Sequence, residues 1–285
     1  MALIDRFRSK LLLSLLTALC ALGGSRPTQA ADSYSVAIVP QFPAVEIHRD
    51  WSPLLERLKK ETRLNFTLTI AASIPEFEDT LLVGQPDFAY MNPYHQVMAK
   101  RARGYLPLVR GNNLLTGVLV VRRDDPIKTV SELDGKDIAF PAPNAFGASL
   151  WIRAMLAEQA KIRINPVYVK THSNVYRYVT AGRSAAGGGI NNTLADEPEE
   201  IRANLRVLME TPGVPPHPLS ANPRVPERVR KQVTEALLRI AAEPGGQAMM
   251  AGVQMESLRR ADYTRDYLPL EKFGLDRYVV RTPKP

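Results

Sequence analysis

Cysteine is almost absent from this chain: Cys20 is the single one in 285 residues. That excludes a disulfide framework and a Cys-based metal site. It also excludes a thiolate nucleophile once the leader discussed below is removed. Histidine is nearly as scarce. His48, His95, His172 and His217 are the four present, and no two of them have the H-x-x-x-H spacing of a metal-binding helix. There is no G-x-S-x-G elbow and no P-loop. No catalytic constellation, metal or cofactor is therefore expected, and an enzyme on this fold is the minor alternative. Beyond residue 30 no apolar run is long enough to span a bilayer. No basic stripe interleaved with aromatics occurs, so nucleic acid is not an expected partner.

What is present begins with a leader. Arg6, Arg8 and Lys10 precede an apolar run, Leu11 to Leu22, and Thr28-Gln29-Ala30 is followed by Ala31 and Asp32. This basic, apolar, small-residue order predicts an export signal over 1–30, cleaved near Ala30, and a periplasmic mature chain. Lipidation at Cys20 is the alternative, although Leu19 stands where a small residue is wanted. The formal charge of +8 falls to about +5 without the leader, since Arg6, Arg8, Lys10 and Arg26 oppose only Asp5 there. A modest basic excess of this kind steers small anions. Without disulfides, the roughly 255 remaining residues must be held by their core, as one large domain or two modest ones.

The first half alternates strand and helix patterns. Tyr34 to Val39 reads as a buried strand. Trp51, Leu54, Leu55 and Leu58 recur at helical spacing, and Phe66, Leu68 and Ile70 alternate. A helix is expected from Pro75 to Val83, with Gly84 at its end, and another opens at Pro93 and stops at Gly104. Thr116 to Arg122 reads as a first crossing between two lobes. A second lobe follows: strand 137–140, helix 148–160, strand 167–170, helix 174–181, strand 184–188 and helix 196–203. Leu205 to Met209 is a strand that crosses back. Thr211 to Pro218 is extended by its prolines, and Pro226 to Ala242 is an amphipathic helix. The expected fold is α/β with two lobes, 31–117 with 211–285 and 118–210, each a mainly parallel sheet flanked by helices.

The most informative stretch is Ala139 to Leu150. It reads as a strand end, a Pro-rich turn, and a helix start of small residues: Ala145, Phe146, Gly147, Ala148 and Ser149. A helix start carries unpaired N–H groups and partial positive charge, and small side chains let an anion approach them. The same pattern also serves as an ordinary helix cap.

Several segments in order resemble the phosphate/phosphite/phosphonate substrate-binding proteins of bacterial ABC importers. They are Trp51 to Leu55, Gly84 with Asp87 to Tyr90, Asn92-Pro93-Tyr94, Gly117 to Val121, Arg122 with Asp125-Pro126-Ile127, Leu133 to Lys136, the 139–150 run, and His172 before the Val175 helix. The resemblance covers nearly all of the chain after the leader. It implies a type II periplasmic binding protein that closes like a hinge on a ligand between its lobes. It also implies an oxyanion held by the helix start at Ala145 to Ser149, with His172 as a donor. Relatives carry a Ser/Thr-rich run there, whereas this chain keeps mainly backbone donors. Tyr90, Asn92, Tyr94 and Gln41 follow strand ends and are expected to face the cleft. The alternative for Tyr90 and Tyr94 is that they are packed aromatics, and for His172 that it is a helix-cap or surface residue. Implied partners are a small oxyanion or phosphonate and an ABC permease, with a membrane sensor kinase as the alternative, and the chain is expected to be a monomer. Between 138 and 195 the only acid is Glu158, so an aminoalkylphosphonate is not expected. Glu46, near the first turn, is the acid that could change this.

Overall fold

The computed structural model describes residues 32–280, and the expected leader, its expected cleavage near Ala30 and Cys20 lie outside them. Two sheets form the frame. The first has the order β11-β4-β10-β3-β1-β2, from β1 (Ser33–Ile38), β2 (Asn65–Ile70), β3 (Phe88–Tyr90), β4 (Leu106–Arg110), β10 (Pro218–Ala221) and β11 (Arg259–Arg260). The second has the order β7-β6-β8-β5-β9, from β5 (Gly117–Arg122), β6 (Asp137–Phe140), β7 (Asn165–Tyr168), β8 (Ala186–Ile190) and β9 (Leu205–Glu210). We call the parts built on them lobe 1 and lobe 2.

The two orders are the same motif. Each lobe has a parallel core of three strands, β2-β1-β3 in one and β7-β6-β8 in the other. Beside each core lies one antiparallel strand that enters after a crossing: β10 against β3 and β4, β5 against β8 and β9. The sheets therefore have the parallel core that the alternation of patterns suggests, and they are mixed because each takes in a strand of opposite direction. Hydrophobic periodicity reports burial and carries no information on the direction in which a returning chain is inserted.

The crossings are also shorter than the patterns suggest. Strands 117–122 and 205–210 lie wholly within the second sheet. The chain passes between lobes where Leu115 and Val214 exchange backbone hydrogen bonds of 2.8 and 3.0 Å. One step further, Thr211 N donates to Gly117 O (2.9 Å) and its Oγ1 accepts from Gly117 N (2.9 Å). Leu115 and Val214 are buried in the apolar cluster of lobe 1, and this two-strand ribbon is the connection at which the lobes can turn.

Helices form where the apolar stripe and the caps agree. Helix α1 (Ala44–Thr62) buries Ile47, Trp51, Leu54, Leu55 and Leu58, a spacing that makes one face of a helix. Helix α2 (Ile74–Leu82) starts at Ser73, whose hydroxyl accepts from Glu76 N, while Glu76 Oε2 accepts from Ala72 N. This reciprocal cap satisfies two otherwise orphaned donors. Helix α3 (Pro93–Arg103) starts at Asn92, whose Oδ1 accepts from His95 N at 2.7 Å, and stops at the left-handed Gly104. In lobe 2, α4 (Trp151–Glu158) follows a π-helical turn, Phe146–Leu150. Helix α5 (His172–Thr180) comes next, capped by Thr171, and then α6 (Asn191–Ala195) and α7 (Glu199–Arg202). Pro198 divides the helix expected over 196–203, because its ring cannot sit inside one. Helices α8 (Glu227–Ala242) and α9 (Pro244–Gly252) return to lobe 1. Among the described residues no helix is long and apolar enough to cross a membrane.

The core of lobe 1 continues across the cleft. Ala142, Ala145, Phe146, Ala148, Trp151 and Ile190 of lobe 2 belong to the same apolar cluster as Ile38, Leu54, Phe77 and Phe88. Lobe 2 has its own cores, with Leu119, Ile138, Phe140 and Ile152 in one and Val118, Val120, Tyr176 and Val179 in another. Each fully buried side chain of this kind contributes about 1.5–3 kcal/mol.

Candidate anion site between the lobes

The helix start that the sequence singles out is pressed against two strands. A Cβ on Gly117 would collide with the Gly147 carbonyl oxygen, and one on Gly188 with that of Ala148. Only glycine allows the π-turn to lie this close to β5 and β8. The glycine run 187–189 in β8 is partly explained by this contact, which is not legible from the run itself. All five residues of the turn are buried.

Within the turn the backbone donors divide into two groups. Ser149 N and Leu150 N both donate to Ala145 O, at 2.7 and 3.1 Å. Phe146, Gly147 and Ala148 N–H have no protein acceptor among the described residues. These three are the first donors of a segment that runs on through α4, and they sit at its positive end.

Seven of the sequence candidates meet at one cavity. It is lined by Gln41, Asn92, Ala145, Phe146, Gly147, Ala148 and His172, together with Val39, Ile74, Leu115, Ile190 and His217. Its volume is about 10 Å³, which is near the least that admits one water. A tetrahedral oxyanion is larger, so the lobes must part at the crossings to admit it.

The polar groups around the cavity are sparsely paired. Gln41 follows β1, and its Oε1 is buried with no partner. Its backbone carbonyl accepts from His172 N of the opposite lobe at 3.3 Å. Asn92 spends its Oδ1 on the α3 cap and turns its Nδ2 toward Asn144 O, 3.4 Å away across the cleft. His172 at the start of α5 contacts Thr193 Oγ1 through Nδ1 at 3.1 Å, and burial pushes its pKa down to about 3. His217 comes from lobe 1, just before β10. Burial pushes it down to about 3 as well, with further depression from His95 and His172. The sequence patterns missed His217 as a site residue. Its signal is position: a histidine held between Pro216 and Pro218 where the chain enters lobe 1 again.

Three candidates are placed beside the cavity and do not line it. Tyr94 donates its hydroxyl to Asp276 Oδ1 at 2.8 Å and stacks on Phe146 at 6.2 Å. Tyr90 lies between Trp51 and the ring of His217, 5.0 and 5.4 Å away. Ser149 Oγ accepts from Arg153 Nε at 3.2 Å. These residues fix the walls.

No carboxylate lines the cavity. Glu158 is engaged elsewhere, accepting from Arg277 Nη2 and the Tyr278 hydroxyl. A separate groove of about 460 Å³, past Phe42, holds Glu46, Asp50, Asp196 and Glu197 with Arg49 and Arg177. Behind the cavity, Glu78 ties the lobes together. Its Oε1 accepts from His95 Nε2 at 2.8 Å, and its Oε2 accepts from Asn144 Nδ2 at 2.8 Å. Among the described residues no group of three His, Cys, Asp or Glu side chains is placed to hold a metal.

Solved structures share the architecture. The binding protein component of an ABC phosphonate transporter from Pseudomonas aeruginosa aligns with a TM-score of 0.77 at 12% identity, over 87% of this chain and 88% of that one. PhnD1 from Prochlorococcus marinus, in complex with methylphosphonate, gives 0.76 at 12% identity, over 87% and 99%. A Xanthomonas citri protein bound to chloride ion gives 0.72 at 19% identity, over 86% and 98%. At these identities the likeness establishes the fold. The family assignment comes from the sequence itself, because residues 36–267 match the model for the ABC transporter phosphonate periplasmic substrate-binding protein. Unpaired amides at a two-lobed cleft and a family match across most of the chain lead to one conclusion: this chain belongs to the periplasmic substrate-binding proteins of phosphonate ABC transporters, a family that binds solutes and does not transform them.

Proposed function

We propose that the ligand is a small tetrahedral oxyanion with at most a compact apolar substituent, such as methylphosphonate, phosphite or phosphate. It is held between the lobes and presented to an ABC permease. The observation that carries this is the set of unpaired N–H groups on Phe146, Gly147 and Ala148 at one cavity. Buried amides without acceptors cost free energy until an anion pairs with them. In this reading Gln41, Asn92 and His172 complete the polar lining, and Ala145 begins the cradle. Tyr90, Tyr94 and Ser149 hold the walls in place. Val39, Ile74, Leu115 and Ile190 give the cavity an apolar side, which suits a methyl group or a P–H bond. A buried ammonium would find no carboxylate in this cavity and would lose several kcal/mol. The methylphosphonate complex of the Prochlorococcus protein is consistent with the same ligand class.

Lobe 1 in this account is 31–117 with 211–285, lobe 2 is 118–210, and the protein works as a monomer. Signal removal near Ala30 delivers it to the periplasm, so mass spectrometry of periplasmic protein should find an N-terminus at Ala31 or Asp32. An intact leader or a lipidated Cys20 would contradict that step.

The test of the ligand is thermal unfolding of the mature protein with an anion panel. A ligand at about a hundred times its dissociation constant adds roughly 2.7 kcal/mol of stability. Methylphosphonate, phosphite or phosphate should raise the melting temperature more than 2-aminoethylphosphonate does. The reverse ranking would show that the ligand reaches the acidic groove.

A further inference from the structure

His172 and His217 reach the same cavity from opposite lobes. Both are about 3% exposed, and both stand beside the unpaired amides. His217 has no hydrogen-bond partner on its ring among the described residues, and the ring is stacked on Tyr90 at 5.4 Å and 24°. A buried imidazole without partners is unusual in a folded protein, and each such group calls for an explanation.

His172 is anchored at one nitrogen. Its Nδ1 lies 3.1 Å from Thr193 Oγ1, the Tyr176 hydroxyl lies 2.8 Å from the same oxygen, and Thr193 Oγ1 donates to Ile190 O at 3.1 Å. The Tyr176 hydroxyl also donates to Ile190 O, at 3.2 Å. With the Thr193 proton committed to Ile190 O, the contact between Thr193 Oγ1 and His172 is made by Nδ1–H. The neutral ring then carries a bare lone pair on Nε2. An oxyanion also presents lone pairs, so the two can meet only through a proton, carried on Nε2 or on an oxygen of the anion.

We propose that His217 is a ligand-binding residue and that, with His172, it makes capture of the oxyanion a proton-coupled event, one proton being taken up on the imidazole pair as the lobes close. This rests on the oxyanion reading of the cavity. The proton comes from solvent to an imidazole nitrogen, and no other bond is made or broken.

The charges around the pair support this. Tyr90 packs on His217. Tyr267 donates to Pro216 O at 2.9 Å, next to it, and Tyr176 shares Thr193 with His172. Burial holds all three hydroxyls above the ordinary tyrosine range, so they stay neutral. His95 bears on His217, but its Nε2 is committed to Glu78 Oε1 at 2.8 Å. No carboxylate lines the cavity to neutralise a charged imidazole there. Two imidazolium rings facing each other would hold the lobes apart, and an anion between them reverses the sign of that interaction. Both rings titrate near 3 without an anion, and a bound anion raises that value. Affinity should therefore grow as pH falls through the raised, bound-state value and level off below the ligand-free one. The slope is about tenfold per pH unit for each proton taken up.

The test uses the mature protein and two probes, methylphosphonate and inorganic phosphate. Imidazole ¹⁵N spectra at neutral pH, assigned with His172→Gln and His217→Gln, should show both rings neutral in the free protein. In the saturated complex one ring should be doubly protonated. Calorimetry in buffers of different ionisation enthalpy should find proton uptake in the wild type and less in His217→Gln, with affinity at least about tenfold lower. His217→Asn serves if the glutamine variant unfolds, and the wild-type spectra need no variant to reveal a charged ring. Neutral rings in the complex, or unchanged affinity and uptake in both variants, overturn the proposal alone. If the wild type binds neither probe at any pH, the oxyanion reading falls and takes the proposal with it.

Discussion

The chain leaves β1 through Val39-Pro40-Gln41-Phe42-Pro43 and enters α1. In lobe 2 it leaves β6 through Pro141-Ala142-Pro143-Asn144-Ala145 and enters the π-turn. Both strands occupy the same place in their sheets, both turns are rich in proline, and both turns contribute a residue to the same cavity. The helix starts nevertheless differ. In lobe 1, Glu46 N and Ile47 N are paired to Pro43 O at 3.0 and 3.1 Å, Glu46 stands in the first turn, and Val45 is exposed. In lobe 2 the first turn holds no acid, every residue in it is buried, and three N–H groups have no protein acceptor. Topology brings a helix dipole to the cleft twice. Residue chemistry makes only one of the two ends attractive to an anion, since a carboxylate at a helix start already offsets its positive end.

The strongest way to break this comparison is to give the second junction the character of the first. Gly147→Asp puts a carboxylate among the unpaired amides. Like charges in a dry cleft cost several kcal/mol, so affinity for the oxyanion should fall at least about a hundredfold by calorimetry. Part of the effect would be steric, because a Cβ at this position lies 2.8 Å from Leu115 Cδ2 and 3.0 Å from Ile190 Cγ2. Gly147→Ala carries that crowding without the charge and should lose much less affinity. The mirror experiment has the smallest expected effect. Glu46→Gln removes the acid of the first junction, and the oxyanion affinity should stay within about threefold of wild type. A large gain would mean that the lobe 1 helix end also faces the ligand.

Much of this organisation was legible in the sequence. The periodicity of Trp51, Leu54, Leu55 and Leu58 gave α1, and Asn92-Pro93 and Gly104 marked both ends of α3, because caps act through local backbone chemistry. The Ala139 to Leu150 run pointed to a helix start at the cleft, and four of its members line one cavity together with Gln41, Asn92 and His172. What escaped depends on long-range packing. The π-turn and the need for Gly117 and Gly188 arise from strands and a turn brought together across 30 to 40 residues of chain. The commitment of the Tyr94 hydroxyl to Asp276, and of Ser149 to Arg153, follows from partners that no local pattern announces. His217 sits in a proline-rich link whose only visible property is extension, so its arrival opposite His172 is a product of the return crossing. The antiparallel insertion of β5 and β10 has the same origin.

The comparison between the two helix starts can be read directly from backbone amides. Proton–nitrogen correlation spectra of the mature protein, titrated with methylphosphonate, report each N–H separately. The account predicts large downfield shifts for Phe146, Gly147 and Ala148, as their protons gain a charged acceptor, and small ones for Val45, Glu46 and Ile47. Shifts concentrated at residues 45–47, or saturation of binding with the 146–148 amides unmoved, would contradict it.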